Sequence, residues 1–235
     1  MNSLDPDLTR DDFLGGRLAL VQPKNGYRAG VDPVLLAASV GAKPGETLLD
    51  LGCGVGTAAL CTARRVPGLL VTGLEVQERY AALARRNGVA NEIAFDVLTG
   101  DLAQMPDTLK ARQFTHVIAN PPYFDRSRST VSETPDKERA LGEDTPLSDW
   151  ARQAAKRAAP GGTVTFIHRV ERLPELLSAF QAHLGSLELL PLSPRENGRP
   201  KLVLLRGRKG GRGEFRLCPP LVLHEGAAHD GDRES

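Results

Sequence analysis

The sequence is short of the features that would place it in several large classes. It has three cysteines, Cys53, Cys61 and Cys218, an odd count with no Cys-x-x-Cys spacing. That pattern argues against a disulfide framework and a zinc module. The five histidines, His116, His168, His183, His224 and His229, lack the i, i+4 spacing of paired metal ligands, so no metal site is expected. No apolar run approaches the roughly 20 residues that span a bilayer. Residues 1–12 are acidic and lack the apolar core of a secretory signal. Charge of one sign is also missing. The net charge is +1, so a nucleic-acid partner would have to meet a local patch. Together these absences lead us to expect a soluble, cytoplasmic protein in a reducing compartment, without membrane or metal. They leave the oligomeric state open.

What is present is an ordinary globular composition, 40% hydrophobic and 25% charged over 235 residues, enough for one domain with small additions. From residue 46 the pattern alternates β-type runs (46–51, 69–75, 93–99 and 114–119) with helical stretches (57–66 and 77–87). Gly88 is the expected C-cap of the second helix. A polar stretch follows at 125–145, long for a loop inside a compact domain and expected to form a substrate loop. The pattern resumes with a helix at 147–158, a strand at 162–168, a helix at 173–184, and strands near 187–192 and 202–206. The last two are too close for a helical crossover and should form an antiparallel hairpin. The expected fold is α/β, a mostly parallel seven-stranded sheet ending in an antiparallel hairpin, with helices on both faces. Its domain spans 13–225, between a flexible acidic terminus (1–12) and a disordered Gly-rich tail (226–235).

Two segments carry chemistry. Asp50-Leu51-Gly52-Cys53-Gly54-Val55-Gly56-Thr57 leaves a strand and opens a helix, where glycines let backbone approach a ligand. Such turns also serve dinucleotides, so a nicotinamide-dependent oxidoreductase stays open on this feature alone. The Gly-x-Gly-x-Gly spacing and the acid at position 50 suit a cationic, amine-bearing ligand better than a pyrophosphate. Glu75, closing the next strand, can accept hydrogen bonds from two ribose hydroxyls, and equally fits a plain acid at a helix start. Asp101 can cap an adenine side or merely make a turn.

The second segment is Asn120-Pro121-Pro122-Tyr123. An exocyclic amine is a poor nucleophile because its lone pair is delocalised into the ring. Two fixed acceptors, the Asn120 side-chain oxygen and the Pro121 carbonyl, would hold its hydrogens and aim the lone pair. The prolines restrict the backbone on either side of Asn120, and Tyr123 offers a flat face for a splayed-out base. In a doubly wound sheet this strand should lie beside the one bearing Gly52, at the topological switch point.

These motifs resemble those of class I S-adenosylmethionine-dependent methyltransferases, and the tetrapeptide resembles the amino-methylating motif shared by adenine-N6, guanine-N2 and glutamine-N5 enzymes. More narrowly, the chain is similar to the bacterial tRNA1(Val) adenine-37 N6-methyltransferase family. The matching stretches are Gln22-Pro23-Lys24-Asn25-Gly26-Tyr27-Arg28-Ala29-Gly30-Val31-Asp32, Val34 to Ala38, both motifs, Pro160-Gly161-Gly162, and Arg199-Pro200-Lys201-Leu202-Val203-Leu204-Leu205. The resemblance implies S-adenosyl-L-methionine as cofactor and an RNA substrate, with tRNA expected. It also implies an N-terminal cofactor-covering segment at 13–45. Tyr27, Arg28, Gly30 and Asp32 join Asp50, Gly52, Cys53, Gly54, Gly56, Thr57, Glu75, Val76, Asp101, Leu102 and Asn120 as expected cofactor-shell residues. We expect Asp32 to face the cofactor ammonium and Arg28 its carboxylate. A guanine-N2 rRNA enzyme and a protein glutamine-N5 enzyme remain alternatives, although the latter's helical substrate domain has little room before Asp50.

For RNA, residues 195–212 hold Arg195, Arg199, Lys201, Arg206, Arg208, Lys209 and Arg212 against Glu196 alone. A patch of this kind can follow a phosphate backbone, though charged edge strands are also common. Lys24, Arg126 and Arg128 are further candidates for RNA contact.

Overall fold

The computed structural model describes residues 5–125, 142–143 and 145–224. The chain enters as an antiparallel hairpin of β1 (Leu8–Phe13) and β2 (Leu18–Pro23), with Leu8 opposite Pro23 and Phe13 opposite Leu18. For residues 8–12 this corrects the expectation of a flexible terminus over 1–12. Leu8 and Phe13 pack against buried clusters, and Asp11 is ion-paired with Arg28 at 2.7 Å. The acidic character that suggested a solvated tail is partly consumed by that pair. Helix α1 (Asp32–Ser39) follows, with Pro33 in its first turn, where no intrahelical donor is required.

The parallel unit is β3 (Thr47–Leu51), α2 (Thr57–Arg65), β4 (Leu70–Glu75), α3 (Glu78–Ala90), β5 (Phe95–Thr99), the short α4 (Asp107–Lys110) and β6 (Phe114–Ala119). Two-residue strands β7 (Phe124–Asp125) and β8 (Gly142–Glu143) pair parallel to each other. Then come α5 (Leu147–Arg157), β9 (Ala158–Arg169), α6 (Leu173–Gln181), β10 (Gly185–Ser193), β11 (Leu202–Arg208), β12 (Arg216–Leu217) and β13 (Leu221–Val222). The sheet order is β12-β10-β11-β9-β6-β3-β4-β5, with β13 also on β10. Strands β3, β4, β5, β6 and β9 run parallel, and β11 is antiparallel to both β9 and β10. The expected parallel sheet with a closing hairpin is therefore the observed one. Two short strands lengthen its edge to nine. Most of the expected 125–145 loop lies outside the described residues, as does the 226–235 tail.

Successive residues of the buried strands serve opposite faces. Leu49, Leu51, Val117, Ala119, Val164 and Phe166 join Trp150 and Phe180 in one core. Leu48, Ile118, Ile167 and Leu204 join Leu36, Ala58 and Val66 in the other. Helices therefore cover both faces, and only the strand ends are left to form a site.

Gly88 is not a C-cap. Helix α3 runs through it to Ala90, and a Cβ at Gly88 would stand 3.0 Å from the Phe95 Cβ. The glycine is kept for close helix–strand approach and does not end the helix. The face of α3 that carries Tyr80, Asn87 and Asn91 holds the N-terminal segment. Asn87, fully buried at 0% exposure, accepts from the Val21 N–H at 2.8 Å and donates to the carbonyls of Val21 at 3.1 Å and Val55 at 3.0 Å. Asn91 repeats the pattern on Ala19, accepting at 3.0 Å and donating at 2.8 Å. Tyr80 Oη accepts from the Tyr27 N–H at 2.9 Å. Two amides one helical turn apart thus satisfy the free edge of β2.

Replacing Asn87 by Ala leaves three buried backbone groups unpaired, so Asn87→Ala should lose about 3 kcal/mol of stability in urea unfolding. A loss below about 0.5 kcal/mol would show that the clamp is dispensable.

Candidate active site

Strand register assembles the site. Leu51 pairs with Leu74 on one side and Ala119 on the other, and Ala119 pairs with Phe166. Carried one residue further, Gly52, Glu75, Asn120 and Ile167 form a row at the carboxyl edge of the sheet, with neighbours about 5 Å apart. The two motifs that lie 68 residues apart in the sequence at Gly52 and Asn120 are thus brought side by side at the reversal of strand order.

At the β3 tip, Gly52, Gly54 and Gly56 have φ of +68°, +55° and +91°, a region that side chains resist. A Cβ at Gly52 would lie 2.8 Å from Trp150, and one at Gly56 would lie 2.7 Å from Phe95. The turn is held by the Gly52 and Cys53 N–H groups donating to the Leu74 carbonyl at 2.8 and 3.0 Å. Glu75, 7% exposed, accepts from the Gly54 N–H at 2.9 Å through one oxygen and from the Gln77 N–H at 2.9 Å through the other. Burial nevertheless raises its carboxyl above the usual range, with those hydrogen bonds opposing the shift. Asp50, 3% exposed, is pushed up to about 8 by burial and by the charge of Glu75, against the bond it accepts from the Ala59 N–H at 3.3 Å. Thr57 Oγ1 is buried without a partner at the start of α2. Cys53 takes part through its backbone only, since its side chain packs toward β4, where a Cβ on Gly73 would come within 2.7 Å of the sulfur.

Beside this turn lies a cavity of about 390 Å³, lined by Gly26, Tyr27, Arg28, Gly30, Asp32, Pro33 and the 120–123 tetrapeptide. Asn120 Oδ1 is buried and has no hydrogen-bond partner. The Asn120 side chain approaches the Tyr27 hydroxyl and counteracts the upward shift imposed on Tyr27 by burial and by the charges of Asp32 and Asp50. The Tyr123 hydroxyl donates to Asp32 Oδ2. Burial and the Asp32 charge raise the phenol well above its ordinary range. Its ring is flanked by His168, centroids 5.3 Å apart, and by the Arg169 guanidinium at 5.5 Å.

Several expected residues stand elsewhere or do other work. Arg28 lines the cavity, but its guanidinium donates to Thr9 Oγ1 at 2.7 Å, the Pro23 carbonyl at 2.9 Å and Asp11 at 2.7 Å. It ties the hairpin down. Asp101 is exposed and accepts from its own Ala103 N–H at 2.8 Å, while Leu102 is buried behind it. Val76 is 60% exposed at the β4 tip, an apolar surface beside Glu75. The basic run 195–212 is not one patch. Strand β11 separates it, with Leu202 paired to Arg169 at the carboxyl edge and Arg208 paired to Thr163 at the opposite edge. Arg206 donates to the Ser39 carbonyl, and Lys209 to that of Ala155 at 2.6 Å. Only Arg195, Arg199 and Lys201 stay with the site, and the Val170 N–H meets the Lys201 carbonyl at 3.1 Å. Lys24 is exposed next to the cavity-lining segment. Arg126 and Arg128 lie outside the described residues. Sequence reasoning missed His168 and Arg169. They follow an apolar strand without motif, and only the β6–β9 pairing brings them to Tyr123.

A family model for the methyltransferase small domain matches residues 30–135. Those residues therefore match a methyltransferase domain. A tRNA1(Val) (adenine(37)-N6)-methyltransferase of Porphyromonas gingivalis is 29% identical to this chain over 210 residues, 84% of this chain and 81% of that protein. One from Glaesserella parasuis is 29% identical over 185 residues, 76% and 75% of the two chains. Among solved structures, a predicted O-methyltransferase from Agrobacterium tumefaciens superposes with a TM-score of 0.69 at 28% identity, covering 84% of this chain and 90% of that one. The 16S rRNA N2 G1207 methyltransferase of Thermus thermophilus, solved with AdoMet and guanosine, reaches a TM-score of 0.60 at 18% identity. It covers 86% of this chain and half of its own and attests the fold alone. Among the described residues no helix is long and apolar enough to cross a membrane.

Because the folded state holds the Asp50 proton more tightly than the unfolded chain, this group lowers stability as pH rises from the ordinary carboxylate range toward about 8. The expected slope is up to about 1.4 kcal/mol per pH unit. Asp50→Asn, which keeps an acceptor for the Ala59 N–H, should flatten it. Parallel stability–pH curves for the two proteins would contradict the assignment.

Proposed function

We propose that the protein transfers a methyl group from S-adenosyl-L-methionine to the exocyclic N6 amine of an adenine in tRNA. The observation that carries this reading is the buried Asn120 Oδ1, unpartnered beside the cavity. An unpaired buried acceptor costs about 1–3 kcal/mol, a cost that an amine N–H delivered by the substrate would remove. The Pro121 carbonyl, one residue on, is the second acceptor. An amine with both hydrogens so held has its lone pair directed away from them. A hydroxyl group would occupy only one acceptor, which favours nitrogen over oxygen.

The residues present fit the cofactor. Asp32 and Asp50 are acids suited to a molecule bearing a sulfonium and an ammonium, and Asp50, raised by burial, would ionise more readily beside those charges. The Gly52–Gly54–Gly56 backbone allows close approach, Glu75 can receive ribose hydroxyls, and Val76 and Leu102 supply apolar contact for a purine. When bound, S-adenosyl-L-methionine supplies the activated methyl group.

The protein's own work is positioning. The turn presents Asn120 to the cavity beside Tyr27, and Tyr123, anchored through its hydroxyl, presents its ring to the base. With its lone pair so aimed, the amine nitrogen would accept the methyl group that the bound cofactor supplies. The resulting cationic amine is acidic enough to release its proton to water, and no side-chain base is required.

The adenine assignment is supported by relatives named for adenine-37 of tRNA1(Val). RNA would run along Arg195, Arg199 and Lys201, about two strand spacings, roughly 10 Å, from the Asn120 strand. Nucleoside mass spectrometry of unmodified tRNA after incubation with the enzyme and cofactor tests this directly. N6-methyladenosine is expected, whereas N2-methylguanosine or a ribose-methylated product would overturn the adenine reading.

Asn120→Ala should lower the methyl-transfer rate at least about 100-fold while cofactor affinity, measured by calorimetry, stays within about threefold. Equal loss of both would make Asn120 a cofactor or folding residue. Neutralising Arg195, Arg199 and Lys201 together should reduce the salt dependence of RNA binding by about two to three charges. An unchanged slope would remove this edge from the RNA path.

A further inference from the structure

We propose that His168 is the positioning residue of the 120–123 turn, holding the Pro122 peptide and the Tyr123 ring from the neighbouring strand. The inference rests on the amine-methylation reading for its kinetic consequence but not for its geometry. His168 lies near the end of β9, two residues past Phe166, which pairs with Ala119. That register sets it level with Pro121, at the base of the tetrapeptide. It is fully buried, at 0% exposure. Its ring lies against Tyr123 at 5.3 Å and an interplanar angle of 57°.

The orientation of the imidazole is fixed from behind. The Arg169 N–H donates to Nδ1 at 2.8 Å, so Nδ1 is an acceptor and the neutral ring carries its proton on Nε2. Burial pushes the imidazole down to about 4, and the charges of Arg172 and Arg169 push the same way. The Pro122 backbone opposes them from the Nε2 side without reaching hydrogen-bonding geometry, so Nε2 is buried without a partner. A purely structural site would be better filled by an apolar side chain, as at Phe166 and Ile167 beside it, because an unsatisfied buried N–H destabilises the fold. A ring that bears on Tyr123 and points its N–H at the Pro122 backbone instead restrains both ends of the peptide following the Pro121 acceptor.

Two variants separate the contributions. H168F keeps a flat ring and loses the N–H, whereas H168Q keeps a donor and loses the ring. Both should bind S-adenosyl-L-methionine within about threefold of wild type, with kcat for methyl transfer about 10–100-fold lower in H168F and intermediate in H168Q. Unchanged kcat in H168F, a parallel fall in cofactor affinity, or failure of both variants to fold would overturn the proposal and leave His168 a core residue. A second measurement needs no substrate and so stands apart from the assigned reaction. Long-range 1H–15N spectra of histidine-labelled protein should show His168 neutral and protonated at Nε2 from about pH 5.5 to 8. A ring protonated at Nδ1, or one titrating in that interval, would sink the idea even if the enzyme methylates adenine as expected.

Discussion

The buried Asn87 side chain on α3 is the constraint on which the site depends. One amide satisfies a donor and an acceptor on Val21 and an acceptor on Val55. It therefore joins the N-terminal hairpin to the glycine-rich turn through a single rigid group. Asn91 and Tyr80 extend the attachment to Ala19 and Tyr27. Without that stripe, β2 would be an open edge and the 26–33 segment would have no fixed height above the sheet. With it, Tyr27 lines the cavity beside Asn120 and Asp32 reaches Tyr123. A helix whose chief role in the fold is to cover one sheet face thus also sets the orientation of the reacting groups.

The division of labour across the strand ends has a physical logic. Acids sit on one side, where Asp50 and Glu75 occupy neighbouring tips and burial disfavours their charged forms. The neutral Asn120 and His168 sit on the other, on either side of Tyr123, whose hydroxyl is held by Asp32. A cation suits the first group because it lowers the cost of ionising a buried acid. A neutral amine suits the second, because a charged group there would lose the nucleophilicity that the acceptors are placed to direct. The cation of Arg169 lies over the Tyr123 ring, and the basic side chains of 195–201 stand at the same edge.

Much of this was legible in advance. The Gly-x-Gly-x-Gly spacing and Asn-Pro-Pro-Tyr each carry local chemistry, and alternation of strand and helix patterns placed both on adjacent parallel strands. What escaped the sequence was of two kinds. Charge was misread where partners are distant: the acids of the first twelve residues suggested a loose terminus because the Asp11–Arg28 pair is invisible in one dimension. The basic run at 195–212 suggested one patch because nothing local says that β11 carries half of it to the other edge. Side chains without motif form the second kind. Asn87, His168 and Gly88 sit in ordinary helical or apolar contexts, and only long-range pairing gives them work. Gly88 looked like a stop signal because its actual reason, the Phe95 Cβ at 3.0 Å, lies on the next strand.

Several of the buried polar atoms left without a partner among the described residues lie along these strand ends, although others, such as Arg64 Nε and Arg157 Nε, lie elsewhere. Thr57 Oγ1 stands just beyond the glycine turn, and Asn120 Oδ1 and His168 Nε2 belong to or abut the tetrapeptide. Each is buried, and each costs the folded chain free energy relative to a paired or apolar alternative. Three such atoms around one row of strand ends, together with two acids raised by burial, leave this stretch of the carboxyl edge incompletely satisfied by the chain itself. A protein that only needed to fold would gain by closing these gaps. Their clustering is what local consistency rules predict for a place where the missing partners arrive with the ligands, and it ties the costs of the fold to the bonds that substrate and cofactor would supply.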